Sequence, residues 1–159
     1  MEIGAGLERI RALGRQDFWL AVLVTQRRSG EPAASVVNAG VVDHPLTGEP
    51  VVAFVARGRT AKLANLRRNP RATLVFRAGW DWTGVTGPVE LAGPDDELPG
   101  LDAEALRVVL RDIYHAAGGE HPDLEEYDRA MAEDRRTAVF VRPEHFSSNP
   151  PGTDHEEGE

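Results

Sequence analysis

Apolar residues follow two patterns along this chain, and each predicts a different element. Leu7, Ile10 and Leu13 recur at three-residue spacing with Glu8, Arg9 and Arg11 between them. That spacing predicts a short amphipathic helix, ended by Gly14. Leu106, Val109, Leu110, Ile113, Tyr114 and Ala117 share one helical face, the clearest periodicity in the sequence, and Gly118-Gly119 stops it. A helix is also expected over 60–69, with Thr60 as N-cap and Pro70 forbidding continuation, and another over 122–132. Elsewhere the segments are of strand length: 19–25 is a continuous apolar run, 33–42 is apolar but interrupted by Ser35, Asn38 and Gly40, 51–56, 72–76 and 137–141 follow, and 81–92 carries Gly84 and Gly87; polar, glycine-bearing turns separate the first three. Pro88 within the fifth run suggests a bulge or an edge. The order is helix, three strands, helix, two strands, helices, strand. Its closely spaced early strands favour an antiparallel sheet or barrel over a doubly wound parallel sheet. Residues 94–100 read as an acidic, proline-rich connector, and 147–159 as a disordered acidic tail.

Length and composition narrow the class. The chain has 159 residues and is 41% hydrophobic, which fits one domain with a core that needs no disulfide or metal. There is no cysteine, so disulfides, thiolate zinc sites, Fe–S clusters and cysteine nucleophiles are excluded. The N-terminus carries an early Glu and no long apolar run, unlike a signal peptide, and no stretch approaches the ~20 apolar residues of a membrane span. A net charge of −8 argues against broad nucleic-acid binding. These features suit a cytoplasmic protein with a small-molecule ligand. The five histidines show no i,i+3 or i,i+4 pairing, so no metal site is expected.

Candidate chemistry concentrates in Arg57-Gly58-Arg59-Thr60-Ala61-Lys62. It follows an apolar strand and opens a helix, where unpaired backbone N–H groups and the helix dipole favour an anion. Arg57, Arg59 and Lys62 add charge-assisted donors, Thr60 a hydroxyl, and Gly58 a sharp backbone turn. The same residues also suit a solvated basic turn that caps a helix. Ser35, Val36, Val37 and Asn38 place polar side chains in an apolar strand, where they meet a ring system's polar edge or bond within the sheet. Trp80 and Trp82, if both lie in a strand, share a face and stack on a planar ligand, fill an interface or pack in the core. Arg135-Arg136 opens the last strand and suits strand-edge charge. Asp95-Asp96 reads as a solvated acidic face.

Two segments resemble a known family. RTAKLANLRRNPRATLVF, from Arg59 to Phe76, and GEHPDLEEYDRAMAEDRR, from Gly119 to Arg136, followed by a strand and Pro143-Glu144-His145, resemble the pyridoxamine 5′-phosphate oxidase-like FMN/F420-binding split β-barrel superfamily. The second segment resembles its F420-dependent oxidoreductase branch. The resemblance spans about residues 5 to 146. It implies a mainly β split barrel with flanking helices over 1–146, a homodimer, and cofactor sites at the subunit interface. It implies F420, or alternatively FMN, as cofactor, with Lys62 on its phosphate and Arg57, Arg59, Thr60 and Ala61 beside it. Ser35 to Asn38 would lie along the ring, and Trp80 and Arg136 would reach the site from the other subunit. The implied activity is hydride transfer to a conjugated, quinone-like or tetrapyrrole substrate. The alternatives are a non-catalytic FMN, F420 or haem carrier, and an FMN-dependent pyridoxamine-phosphate oxidase. Arg67, Arg68 and Arg71 either line a path for F420's anionic tail or form a solvated helix face.

Overall fold

The structure is a computed structural model that describes residues 1–149. Its elements, in chain order, are α1 (Ile3–Gln16), β1 (Leu20–Gln26), β2 (Pro32–Asp43), β3 (Pro50–Ala56), α2 (Ala61–Arg68), β4 (Arg71–Ala78), β5 (Asp81–Ala92), α3 (Ala103–Ala116), α4 (Leu124–Glu133), β6 (Thr137–Val141) and β7 (His145–Ser148). Strands run in the order β4-β1-β2-β3-β6-β5-β7, and a further β4–β5 pairing closes six of them into a barrel. Every pairing is antiparallel. The fold is therefore mainly β with flanking helices, as expected.

Two cores explain the continuous apolar runs. Inside the barrel, Val52, Phe54, Leu74, Phe76 and Val139 pack with Leu7, Ile10 and Leu13 of α1 and Leu63 and Leu66 of α2. Outside it, Val51, Ala53, Ala138 and Phe140 pack beneath Val109, Leu110 and Ile113 of α3. β3 and β6 are thus buried on both faces, so neither alternates. α3 also covers the second half of β2, but among the described residues no helix covers the outer face where β1 pairs with its first half. There Leu20, Val22 and Val36 are exposed, with Val22 and Val36 directly opposed in register.

β5 bends the topology. Its first half pairs with β7 (Thr83↔Ser148 to Thr86↔His145) and its second half with β6 (Val89↔Val141 to Ala92↔Ala138). The joint needs Gly87, because a Cβ there would lie 1.7 Å from the Arg142 carbonyl oxygen. Pro88 sits at this joint, paired with Arg71 of β4 inside the closed barrel rather than at an edge. Its carbonyl accepts from Arg142 N at 3.0 Å.

Several local expectations are corrected. α1 runs through Gly14 instead of ending there; the glycine makes room for the Trp19 indole, which packs where a Cβ would stand. Trp80 lies in the two-residue β4–β5 turn with Gly79 (φ 62), so it does not share a strand face with Trp82. Ser147 and Ser148 are strand residues of β7, and Asn149 accepts from Trp82 N and Arg9, so they belong to the sheet rather than to a tail. The rest of the expected tail, 150–159, lies outside the described residues. Asp95 is exposed and Asp96 half-buried, and each forms an ion pair, with Arg135 and Arg67 respectively. β6 is flanked by β3 and β5, so Arg135-Arg136 does not guard an edge. Among the described residues, no helix is long and apolar enough to cross a membrane.

Candidate functional site

A cleft of about 400 Å³ opens between β2, the start of α2 and the α3–α4 pair. Its position follows from two close backbone approaches. Gly40 of β2 meets the end of α3, where a Cβ would stand 2.6 Å from the Ala116 carbonyl. That contact holds Ile113, Tyr114 and Ala117 above Val36, Val37 and Asn38. Gly58 meets the turn after α4, where a Cβ would stand 2.7 Å from Arg135 Cβ, and its N–H donates to Asp134 O at 3.0 Å. This second contact brings Arg57, Thr60 and Lys62 to the same cleft as Arg136. Gly58 therefore provides close approach, and the left-handed residue of the turn is Arg59 (φ 62).

The start of α2 is open to an anion. Thr60 occupies the N-cap position, but its side chain makes no cap hydrogen bond. Its Oγ1 donates instead to Arg57 O at 3.0 Å. The first intrahelical bond runs from Ala64 N to Thr60 O, so the amides of Ala61, Lys62 and Leu63 have no acceptor within the helix. By contrast, Asp102 and Asp123 cap α3 and α4 with their carboxylates. Among the described residues Lys62 makes no ion pair, while Arg57 and Arg136 share one carboxylate, Asp134, at 3.5 and 3.2 Å. Arg136 Nε is buried with no hydrogen-bond partner.

A second recess of about 450 Å³ lies on the other side of Lys62. Arg27, Arg28, Ser35, Ala61 and Arg68 line it with Lys62, and no acidic residue is among its described lining. Thr25 and Asn65 form its floor, bonded to each other at 3.2 Å.

The structure divides the residues expected from sequence. Val36, Val37, Asn38, Arg57, Thr60, Lys62 and Arg136 converge on the cleft. Ser35 and Ala61 line the second recess instead. Strand alternation separates Ser35 from Val36 and Asn38, so the four β2 residues do not act as one run. Asn38 has a structural task too, since its Nδ2 donates to Phe18 O at 3.0 Å and Ala117 O at 3.1 Å. Arg59 and Trp80 line neither recess. Arg136 lines the cleft within its own chain. Arg67 and Arg71 do not line an anion path, because Asp96 holds Arg67 with two bonds of 2.8 and 2.6 Å and Glu144 pairs with Arg71 at 3.1 Å.

Tyr114, Tyr127 and Met131 were not among the sequence candidates, yet they form the roof of the cleft. The tyrosine rings lie 4.7 Å apart. Tyr114 Oη donates to Glu120 O and Tyr127 Oη to Leu110 O, both at 3.1 Å. Burial pushes the Tyr127 hydroxyl up to about 12. Both phenols are therefore engaged with the backbone. Tyr114 was legible only as part of a helical face, and Tyr127 only as part of the second family-like segment.

The family model described as pyridoxamine 5′-phosphate oxidase matches residues 8–146. Among solved structures, a conserved hypothetical protein from Mycobacterium tuberculosis aligns with a TM-score of 0.65 at 18% identity, over 93% of this chain and 84% of its own. A protein described as an F420 reductase aligns with a TM-score of 0.57 at 18% identity, over 83% of this chain and 91% of its own. A pyridoxamine 5′-phosphate oxidase-related, FMN-binding protein from Nostoc punctiforme aligns with a TM-score of 0.59 at 18% identity, over 92% of this chain and 81% of its own. At such identities these structures share the fold alone.

Proposed function

Because the chain belongs to the pyridoxamine 5′-phosphate oxidase family, we propose that its cleft binds a phosphorylated deazaflavin, F420, and that the protein is an F420-dependent oxidoreductase. The observation that carries this reading is the arrangement about Lys62. An uncapped helix start and an unpaired lysine face one recess suited to a ring and phosphate, and the same lysine borders a second recess with Arg27, Arg28 and Arg68. FMN would fill only the first. F420 carries in addition an anionic oligoglutamate tail, which the second recess would accept. The fit is supported by the uncapped amides of α2 and by the buried Nε of Arg136, which lacks an acceptor.

In this reading Lys62, Thr60 and the first amides of α2 hold the phosphate. Val36 gives the ring an apolar contact on the outer face of β2, Val37 is buried in the barrel core behind it, and Tyr114, Tyr127 and Met131 exclude water from above. The bound group supplies hydride transfer to a conjugated acceptor. The protein binds and orients it. The accompanying proton comes from solvent, because the two phenols in the roof are committed to backbone carbonyls.

That same commitment favours a second reading, a flavin or deazaflavin carrier without turnover. Reduced F420, added without oxygen to substoichiometric protein and a quinone acceptor, separates the two: sustained oxidation supports the enzyme, and one binding event per chain supports the carrier. Titration with FMN and with F420 tests the cofactor itself. Tighter F420 binding that weakens as salt rises is expected, and tighter FMN binding overturns the assignment.

We further propose that the protein acts as a homodimer. Phe18 (80% exposed), Val36 (63%) and the outward Leu20 and Val22 form an apolar face beside the cleft, and a second copy is the occupant that would cover it.

A further inference from the structure

We propose that a recess between α3 and α4, separate from the cleft, is a second small-molecule site that takes a compact, ring-bearing carboxylate. The recess measures about 270 Å³, and Leu106, Leu110, Met131 and Ala132 make most of its wall apolar. That volume lies at the small end of ligand pockets, so it suits one or two fused rings rather than a nucleotide.

The polar groups at its border set the head group. Asp128 borders the recess, but its carboxylate is already matched. Arg111 Nε donates to it at 2.8 Å and Arg107 Nη1 at 3.2 Å. The Arg111 guanidinium, with Arg107 beside it, holds Asp128 below the usual carboxylate range. Arg136 is different. Asp134 is the carboxylate it shares with Arg57, so this group of three carries one unmatched positive charge. Arg136 Nε is also buried without an acceptor. A buried donor left unmatched is unfavourable, and a planar carboxylate matches the guanidinium fork. Arg107 also borders the recess, but Glu104 and Asp128 pair with it, so the recess offers an apolar body and one cationic contact that is not fully neutralised, Arg136.

Arg136 and Met131 border both this recess and the cleft. An anion bound between the helices draws on the same guanidinium as a ligand in the cleft, so the two oppose each other. By linkage the opposition is equal in both directions. The site itself does not depend on which cofactor occupies the cleft.

The test is calorimetric titration of the full chain, free of cofactor, with 2-naphthoate and its neutral analogue 2-naphthamide. Naphthoate is expected to bind, with the amide at least tenfold weaker. Ala132→Trp fills the recess from an exposed helix position and is expected to weaken naphthoate at least tenfold, with Ala103→Trp doing the same from α3. Lys62→Ala, on the cleft side, is expected to leave naphthoate affinity unchanged. Absence of naphthoate binding to the wild type would overturn the site. So would equal affinity for the amide, or loss of binding in Lys62→Ala with retention in both tryptophan variants. Circular dichroism confirms that each variant is folded. Failure of F420 to bind, with naphthoate binding intact, would refute the cofactor reading and leave this site standing.

Discussion

Lys62→Ala isolates the phosphate contact from the rest of the fold. Lys62 is the second residue of α2, half-buried, between the two recesses. It makes no ion pair among the described residues, so its loss removes no folded-state partner. Alanine is also a better helix former. Stability should therefore change by no more than about 0.5 kcal/mol. Binding should change far more. One charge-assisted contact to a phosphate contributes about 1.5–3 kcal/mol, or roughly ten- to a hundredfold in affinity. Arg67→Ala supplies the control. It lies in the last turn of the same helix and carries the same charge, but Asp96 neutralises it with two bonds. Its removal should alter F420 affinity less than threefold. The assay is titration of F420 absorbance and fluorescence against each folded variant, at low and high salt. Equal losses in the two variants would mean that α2 acts only through its overall charge. Unchanged affinity in Lys62→Ala would refute the cradle at the helix start.

Other perturbations test the scaffold around the site. Gly87→Ala should destabilise the chain by about 3 kcal/mol or more, since its Cβ would overlap the Arg142 carbonyl oxygen; a melting temperature equal to wild type would show that the β6–β5–β7 joint is wrongly described. Asp128→Asn should lower stability by about 1 kcal/mol at neutral pH, a figure kept small because the ion pairs with Arg111 and Arg107 are partly exposed. The folded Asp128 carboxyl lies below its unfolded value, so its contribution is present above the unfolded pKa of about 3.9 and is lost as pH falls through the folded value. The gap between wild type and variant should therefore close below about pH 4 in chemical denaturation, and a gap independent of pH would count against the ion pair. Val36→Glu places a charge in the middle of the exposed apolar face and should turn a dimer into a monomer by light scattering. A dimer that persists would place the interface elsewhere.

Much of the barrel is legible in the sequence. The runs at 51–56 and 137–141 are unbroken because β3 and β6 have a core on each face, and an unbroken apolar run is what such a strand requires. The periodicity from Leu106 to Ala117 marks α3 because a helix on one side of a sheet buries a single stripe. Arg57 to Lys62 is legible as an anion site because helix starts carry their chemistry in consecutive residues. β7 carries no such signal. His145–Ser148 has four residues with two serines, and it is a strand only because β5 offers it an open edge beyond Gly87.

What tertiary structure alone decided is which of these local features meet. No pattern in the sequence joins Gly58 to Asp134, or Gly40 to Ala116. Those contacts depend on backbone approaches that only glycine permits, between segments far apart in the chain. Arg67, Arg68 and Arg71 look alike in sequence, yet two are neutralised by acids from distant segments while Arg68 lines a basic recess. The tyrosine roof has the same origin. Tyr114 and Tyr127 are ordinary members of helical faces until α3 and α4 pack against each other over β2, and that packing is a property of the closed barrel rather than of either helix. Local sequence set what each segment is, because backbone propensity and side-chain period act over a few residues. The site arose from long-range packing, which acts between segments that carry no record of one another.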